Sequence, residues 1–217
     1  MNHSRAVVIT EASSPIALAT AARLAANGDL VLMGTRRTEI CERFAARLRS
    51  DGAAAFAVHL DLADPPSIDR FVESADYLIG SVDVLVSSAG VADGSWVGAQ
   101  HFAEQVIPPM IDRGRGDVVL IGPSTGRSRR RLETWLAGLD AEFVGTGVRA
   151  SIIRSTESMP PGDVGYLVAA AIGAHLRVVD VIASGRESAT SDGLTRELHR
   201  WLHFRGYPGR RRTNTDC

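Results

Sequence analysis

The sequence contains no lysine: all 24 of its basic residues are arginine, set against 25 acidic ones. That excludes a P-loop lysine, a Schiff-base lysine and any other mechanism resting on an ammonium of tunable pKa. Cysteine is scarce too. Only Cys41 and Cys217 occur, without pairing or metal-ligand spacing, which fits a reducing compartment and excludes a disulfide scaffold. Aromatic residues make up 6% and are not interleaved with the arginines, and the formal charge is −1. Neither nucleic acid nor an anionic membrane is therefore expected as a partner. Long apolar runs are missing as well. Ala6 to Thr10 is broken off by Glu11 and Pro15, and Tyr166 to Ala174 falls well short of the roughly 18 residues of a membrane span. The expectation is a cytoplasmic protein with no metal site.

What is present is alternation. Short β-branched runs at Arg5 to Thr10, Leu30 to Gly34, Ala53 to His59, Val82 to Ser87, Asp117 to Ile121, Val148 to Ile153 and Val178 to Ala183 are separated by segments of helical period. Several of the runs are apolar throughout, as parallel strands covered on both faces are. The helical faces expected to be buried are Ala17, Ala21, Leu24 and Ala25; Ile40, Phe44 and Leu48; Ile68, Phe71, Val72 and Ala75. Later segments repeat the pattern with Phe102, Val106 and Met110, with Leu132, Trp135, Leu136, Leu139 and Phe143, and with Val164, Leu167, Val168 and Ala171. Gly28 and Gly52 stand where helix C-caps belong, Ser14-Pro15 and Asp64-Pro65 where helices start. The pattern predicts an α/β protein with a doubly wound parallel sheet of about seven strands over residues 1–187. Residues 188–217 read as a short C-terminal helix carrying Leu194, Leu198, Trp201 and Leu202, followed by a basic tail with Arg210 to Arg212.

The motifs sit at the ends of these strands. Thr10-Glu11-Ala12-Ser13-Ser14-Pro15-Ile16-Ala17 follows the first, Gly34-Thr35-Arg36-Arg37 the second, Asp61-Leu62 the third and Ser87-Ser88-Ala89-Gly90 the fourth. Met110 to Val119 leads into the fifth, and Gly147-Val148-Arg149-Ala150 opens the sixth. In this order they resemble the short-chain dehydrogenase/reductase family, of which the chain looks like a divergent, truncated member. The resemblance implies a Rossmann-like fold and a dinucleotide site formed by Thr10, Ser13, Ser14, Ile16, Arg36, Asp61, Leu62, Ser88, Ala89 and Gly90. It implies NADP(H) ahead of NAD(H), because an arginine after the second strand accepts a ribose 2′-phosphate where NAD-selective relatives place an acid. The family's TGxxxGxG is TExxxPxA here, so the glycine positions hold Glu11, Pro15 and Ala17. A carboxylate at Glu11 repels a pyrophosphate unless it points away.

The family's catalytic set is serine, tyrosine and a lysine four residues after the tyrosine, with an asparagine upstream. Pro123 falls at the serine, with Ser124 one position late as a weak catalytic candidate, and Ser95 falls at the asparagine. Tyrosine and lysine have no counterpart between Gly126 and Gly147, where only 20 residues lie, so the segment bearing YxxxK is read as missing from a shortened fifth helix. Tyr77, Tyr166 and Tyr207 lie elsewhere; His59 and His101 are the other candidate acids. Since a positioned general acid contributes about 10² to 10⁴-fold, its loss removes standard catalysis. Arg127 to Arg131 starts the fifth helix against the macrodipole and suggests an anionic partner. Three readings follow: a nucleotide-binding or regulatory protein without ordinary catalysis, an active NADP-dependent oxidoreductase with a replacement acid, and an interaction module using the C-terminal helix. A homo-oligomer or protein partner belongs to the first and third.

Overall fold

In the computed structural model, residues 4–88, 95–123, 125–155, 159–174 and 178–180 are described. They form one parallel sheet in the order β3-β2-β1-β4-β5-β6-β7. Its strands are β1 (Ala6–Ile9), β2 (Leu30–Thr35), β3 (Ala55–His59), β4 (Val84–Ser87), β5 (Gly116–Pro123), β6 (Val148–Ser155) and β7 (Val178–Asp180). The crossovers run through α1 (Pro15–Ala26), α2 (Thr38–Ser50), α3 (Pro65–Ile79), α4 (Ser95–Asp112), α5 (Gly126–Glu142) and α6 (Pro161–Ala174). The expected doubly wound sheet is therefore present. The domain boundary near residue 187, the C-terminal helix and the basic tail lie outside the described residues.

β1 is the axis of the sheet. Val7, Val8 and Ile9 are fully buried, and Val7 pairs with Val31 of β2 on one side and Val84 of β4 on the other. A strand apolar on both faces can sit only between two helix layers, which is why the run carries no alternation. At its lower end Arg5 grips Asp29 through two bonds of 2.9 and 2.7 Å, and Asp83 accepts the Ala6 amide at 3.1 Å. These contacts set the register of β1 against both neighbours. The strand order reverses between β1 and β4, so the loops leaving their upper ends part and leave a cleft, where ligands of open α/β sheets bind.

On one face of the sheet Val8, Leu32 and Leu85 pack with residues of α3, α4 and α5, including Phe71, Phe102 and Leu132. The rings of Phe71 and Phe102 meet edge to face at 5.5 Å, and those of Trp96 and Trp135 at 5.3 Å. The buried faces expected for α1, α4, α5 and α6 are observed. In α2 the expectation fails: Cys41 and Ala45 are buried, while Ile40 is exposed and Phe44 and Leu48 are only half-buried. This helix covers the edge strand β3, so small side chains seat it and the larger ones stay at its margin.

Helix punctuation follows the sequence. The Ser14 hydroxyl accepts the Ala17 amide at 3.2 Å, and Gly28 and Gly52 fall just beyond the C-caps Asn27 and Asp51. Asp64 stands at the N-cap of α3 but makes no capping bond; its carboxylate meets Arg70 instead. α4 lies so close to the segment after β3 that a Cβ on Gly98 would sit 1.6 Å from the Leu62 carbonyl oxygen. Backbone cannot give way as a side-chain tip does. Gly98→Ala is expected to lower the thermal midpoint by roughly 5–10 °C, the effect of overpacking by about 2–3 kcal/mol, measurable by calorimetry or circular dichroism.

Candidate functional site

The loop between β1 and α1 is pinned from both sides. The Thr10 amide donates to Val86 O at 3.0 Å and the Ala12 amide to Gly34 O at 3.0 Å, so the loop is tied to β4 and β2 at once. The Thr10 hydroxyl lies 3.5 Å from that of Ser87 and both residues are buried. Thr10 is thus a tie between β1 and β4, and its side chain is not presented to the cleft. Ser13, Ser14 and Ile16 remain half-buried at the start of α1, where backbone amides and the macrodipole favour an anion.

To reach that helix the chain turns at Glu11, whose φ of 49° is the only positive value on a residue other than glycine among those described. A side chain in this left-handed region costs about 1–2 kcal/mol. The carboxyl is half-buried, accepts a hydrogen bond from the Ser95 side chain at the start of α4, and feels the charge of Arg36 beyond β2. It therefore turns toward the start of α4. Burial pushes its pKa above the ordinary 4.5, with Ser95 and Arg36 pulling the other way. Arg36 itself is exposed.

The other strand ends divide. Asp61 accepts the Ala63 amide at 2.9 Å while its own amide donates to Ser67 at 3.0 Å, so it shapes the turn into α3 while remaining half-buried. Leu62 is in the core, its side chain 5% exposed. Its backbone carbonyl packs against Gly98 of α4. Ser88 is buried, and its hydroxyl has no hydrogen-bond partner among the described residues. Ala89, Gly90 and the catalytic candidate Ser124 lie outside the described residues. His59 is exposed at the end of β3, the edge strand, and His101 lies within α4 beside Gln105 and Glu104. Neither is brought to the ends of β4 and β5, so strand-end logic misplaced both.

The fifth helix carries the arginine run. α5 has 17 residues. Only positions 124 and 125 separate it from β5, and the helix GRSRRRLETWLAGLDAE carries neither tyrosine nor lysine. Of the tyrosines, Tyr77 is 88% exposed on α3 and the Tyr166 ring lies under Arg23 at 5.1 Å. Arg127, Arg130 and Arg131 line a groove of about 750 Å³ with Trp96, Trp135 and Leu139 between α4 and α5. The run thus faces that groove.

Sequence reasoning missed one pairing. Arg154, 9% exposed at the end of the apolar strand β6, bonds Glu133 of α5, which also receives Arg129 at 2.9 Å. These cations hold the Glu133 carboxyl below its ordinary value, Arg129 foremost. A charged residue closing a run of buried positions was the available signal.

The raised pKa of Glu11 fixes a sign. Protonation is easier in the folded chain than in the unfolded one, so stability is full below the unfolded value near 4.5 and falls as pH rises through the folded one. Glu11→Gln is expected to match the parent near pH 4 and exceed it by roughly 1–4 °C in thermal midpoint at neutral pH. A difference that stayed constant across that range would contradict the burial of this carboxyl.

Comparison with known proteins gives the context. The family profile described as short chain dehydrogenase matches residues 5–134. Glycine betaine reductase ATRR of Emericella nidulans is 28% identical over 69% of this chain, which spans only 14% of that protein. 1-Deoxy-11-beta-hydroxypentalenate dehydrogenase of Streptomyces arenae is 28% identical over 89% of this chain and 71% of its own length. Among solved structures, a metagenomic short-chain oxidoreductase in complex with NADP superposes with a TM-score of 0.71 at 21% identity, covering 82% of this chain and 96% of its own. That likeness is one of fold.

Proposed function

Because the chain belongs to the short chain dehydrogenase family, we propose that it binds a nicotinamide dinucleotide, NADP(H) ahead of NAD(H), and does not carry the family's serine-tyrosine-lysine chemistry. The observation that carries the binding reading is the strand-end cleft itself. A capped helix N-terminus, an exposed Arg36 and a buried Ser88 hydroxyl without a hydrogen-bond partner among the described residues border it. A buried hydroxyl left unpaired costs about 1–3 kcal/mol, which a ligand's polar edge removes. NADP complexes among proteins of the same fold support the choice of ligand.

In this reading Arg36 takes the 2′-phosphate, the start of α1 with Ser13 and Ser14 takes the pyrophosphate, and Asp61, Leu62 and Ser88 border the adenosine side. The dinucleotide would supply hydride. What the chain would have to supply is a proton, and its α5 offers no phenol and no ammonium. The protein therefore acts as a nucleotide-responsive or regulatory member of its family.

Saturating NADPH is expected to raise the thermal midpoint by roughly 5–10 °C, the equivalent of about 2.7 kcal/mol at a hundredfold excess over Kd. Arg36→Ala should diminish that shift more for NADPH than for NADH. Absence of any shift at about millimolar nucleotide would refute binding. Oxidation of NADPH with a panel of aldehydes and ketones, at rates above roughly 1 s⁻¹, would refute the loss of catalysis.

A further inference from the structure

Arg127, Arg130 and Arg131 have no part in dinucleotide binding. They recur at helical spacing on one face of α5, and all three are exposed along the groove between α4 and α5. Among the described residues the ion pairs of this helix run from Arg129 and Arg154 to Glu133, and the other three guanidinia meet no carboxylate. Cations in the first turns of a helix stand against its macrodipole, and like charges within little more than a turn repel one another. An anion from outside the chain relieves both costs. Behind the arginines the groove is apolar: Trp96 and Trp135 meet edge to face at 5.3 Å, with Ile107 and Leu139 beside them. A Cβ on Gly138 would meet no atom within 4 Å, so space lies over this part of the helix. Glu104 and Glu142 also line the groove, and Glu104 already lies 3.6 Å from the His101 ring, so guanidinium stays in excess.

We propose that the groove between α4 and α5 binds a small anionic amphiphile, its carboxylate or phosphate head held by Arg127, Arg130 and Arg131 and its apolar body laid over Trp96, Trp135 and Leu139. Guanidinium forks engage the paired oxygens of either head group, and indole rings offer broad apolar area. The volume of about 750 Å³ falls within the roughly 300–1,000 Å³ of pockets that take one small molecule. A partner helix fits less well: at about 10 Å diameter it fills roughly 400 Å³ per turn, so fewer than about two turns would seat. A second copy of the chain fits the charge poorly, because a two-fold contact sets the same face against itself and doubles the excess of guanidinium. None of the residues assigned to the dinucleotide lines this groove, so its occupancy does not depend on nucleotide binding.

The test is titration of the full chain carrying Trp201→Phe, which leaves Trp96 and Trp135 as the reporting rings. Decanoate, decyl phosphate, 1-decanol and inorganic phosphate are the probes, followed by tryptophan emission and thermal midpoint. Decanoate or decyl phosphate is expected to change the emission saturably with a Kd below about 100 μM, and to raise the midpoint by roughly 2–5 °C at a tenfold excess over Kd. 1-Decanol and inorganic phosphate, each with half of the chemistry, should bind at least about tenfold more weakly. Arg127→Gln, Arg130→Gln and Arg131→Gln combined should cost the anionic probe at least about tenfold while sparing 1-decanol, and Gly138→Phe should block every amphiphile by filling the groove. Equal affinity for decanoate and 1-decanol, or undiminished anion binding by the triple variant, overturns the proposal. So does a fall in midpoint, which marks a detergent acting on the unfolded chain. Sedimentation of the parent decides between occupants: a dimer that Gly138→Phe dissociates gives the groove to a second copy and removes the amphiphile. No saturable change below about 1 mM of any amphiphile refutes the site outright.

Discussion

The site depends on β1 being enclosed on both faces and both edges. Because Val7, Val8 and Ile9 have no exposure at all, the strand cannot slide by one residue without turning an apolar set toward the wrong layer, and its neighbours β2 and β4 are fixed with it. The ion pair of Arg5 with Asp29 and the acceptance of the Ala6 amide by Asp83 hold the bottom of this arrangement. At the top, the Thr10 and Ala12 amides tie the departing loop to β4 and β2. Everything that borders the cleft is then placed by strand register: Arg36 by β2, Ser88 by β4, and Ser95 by the helix that follows.

Within that frame the energetics of the loop run against stability. A left-handed backbone and a desolvated carboxyl fall on the same residue, and only Ser95 and the distant field of Arg36 offset them. A glycine at Glu11 would remove both costs at once, at the price of a more flexible unfolded chain. Local penalties of this kind that coincide at a cleft usually mark function, since a rigid frame over-determines them. The frame here is unusually able to do so, because the amides on either side of Glu11 are both committed to other strands.

Most of the architecture was legible because parallel strands buried on both faces write themselves as uninterrupted apolar runs. The first six runs mapped onto strands with ends shifted by at most two residues, as fraying and hydrogen-bond criteria allow, and the seventh strand begins where expected, at Val178. Helical faces were legible wherever a helix packs over the middle of the sheet. They failed in α2, where Ile40 lies at the margin of an edge strand and periodicity cannot tell a seated position from a peripheral one. At the site, residue identity showed which positions could meet a ligand but not where their side chains turn. Thr10 and Asp61 were named for the cleft, yet Ser87 and the Ala63 amide engage their polar atoms. The direction of Glu11 depended on the start of α4, a segment 84 positions away by register number, which no local pattern encodes.

The place of the missing lysine follows from α5. Two positions separate α5 from β5, and the helix carries arginine but neither tyrosine nor lysine over its 17 residues. Arginine in its stead stays protonated across the accessible pH range and cannot tune or relay a proton as an ammonium can. Arg129 and Arg154 are moreover committed to Glu133, which anchors the helix to β6. Toward the cleft stand the Ser88 hydroxyl after β4 and the Ser95 side chain at the start of α4, which bonds the Glu11 carboxyl. α5 itself contributes arginine charge and its tie to β6 through Glu133.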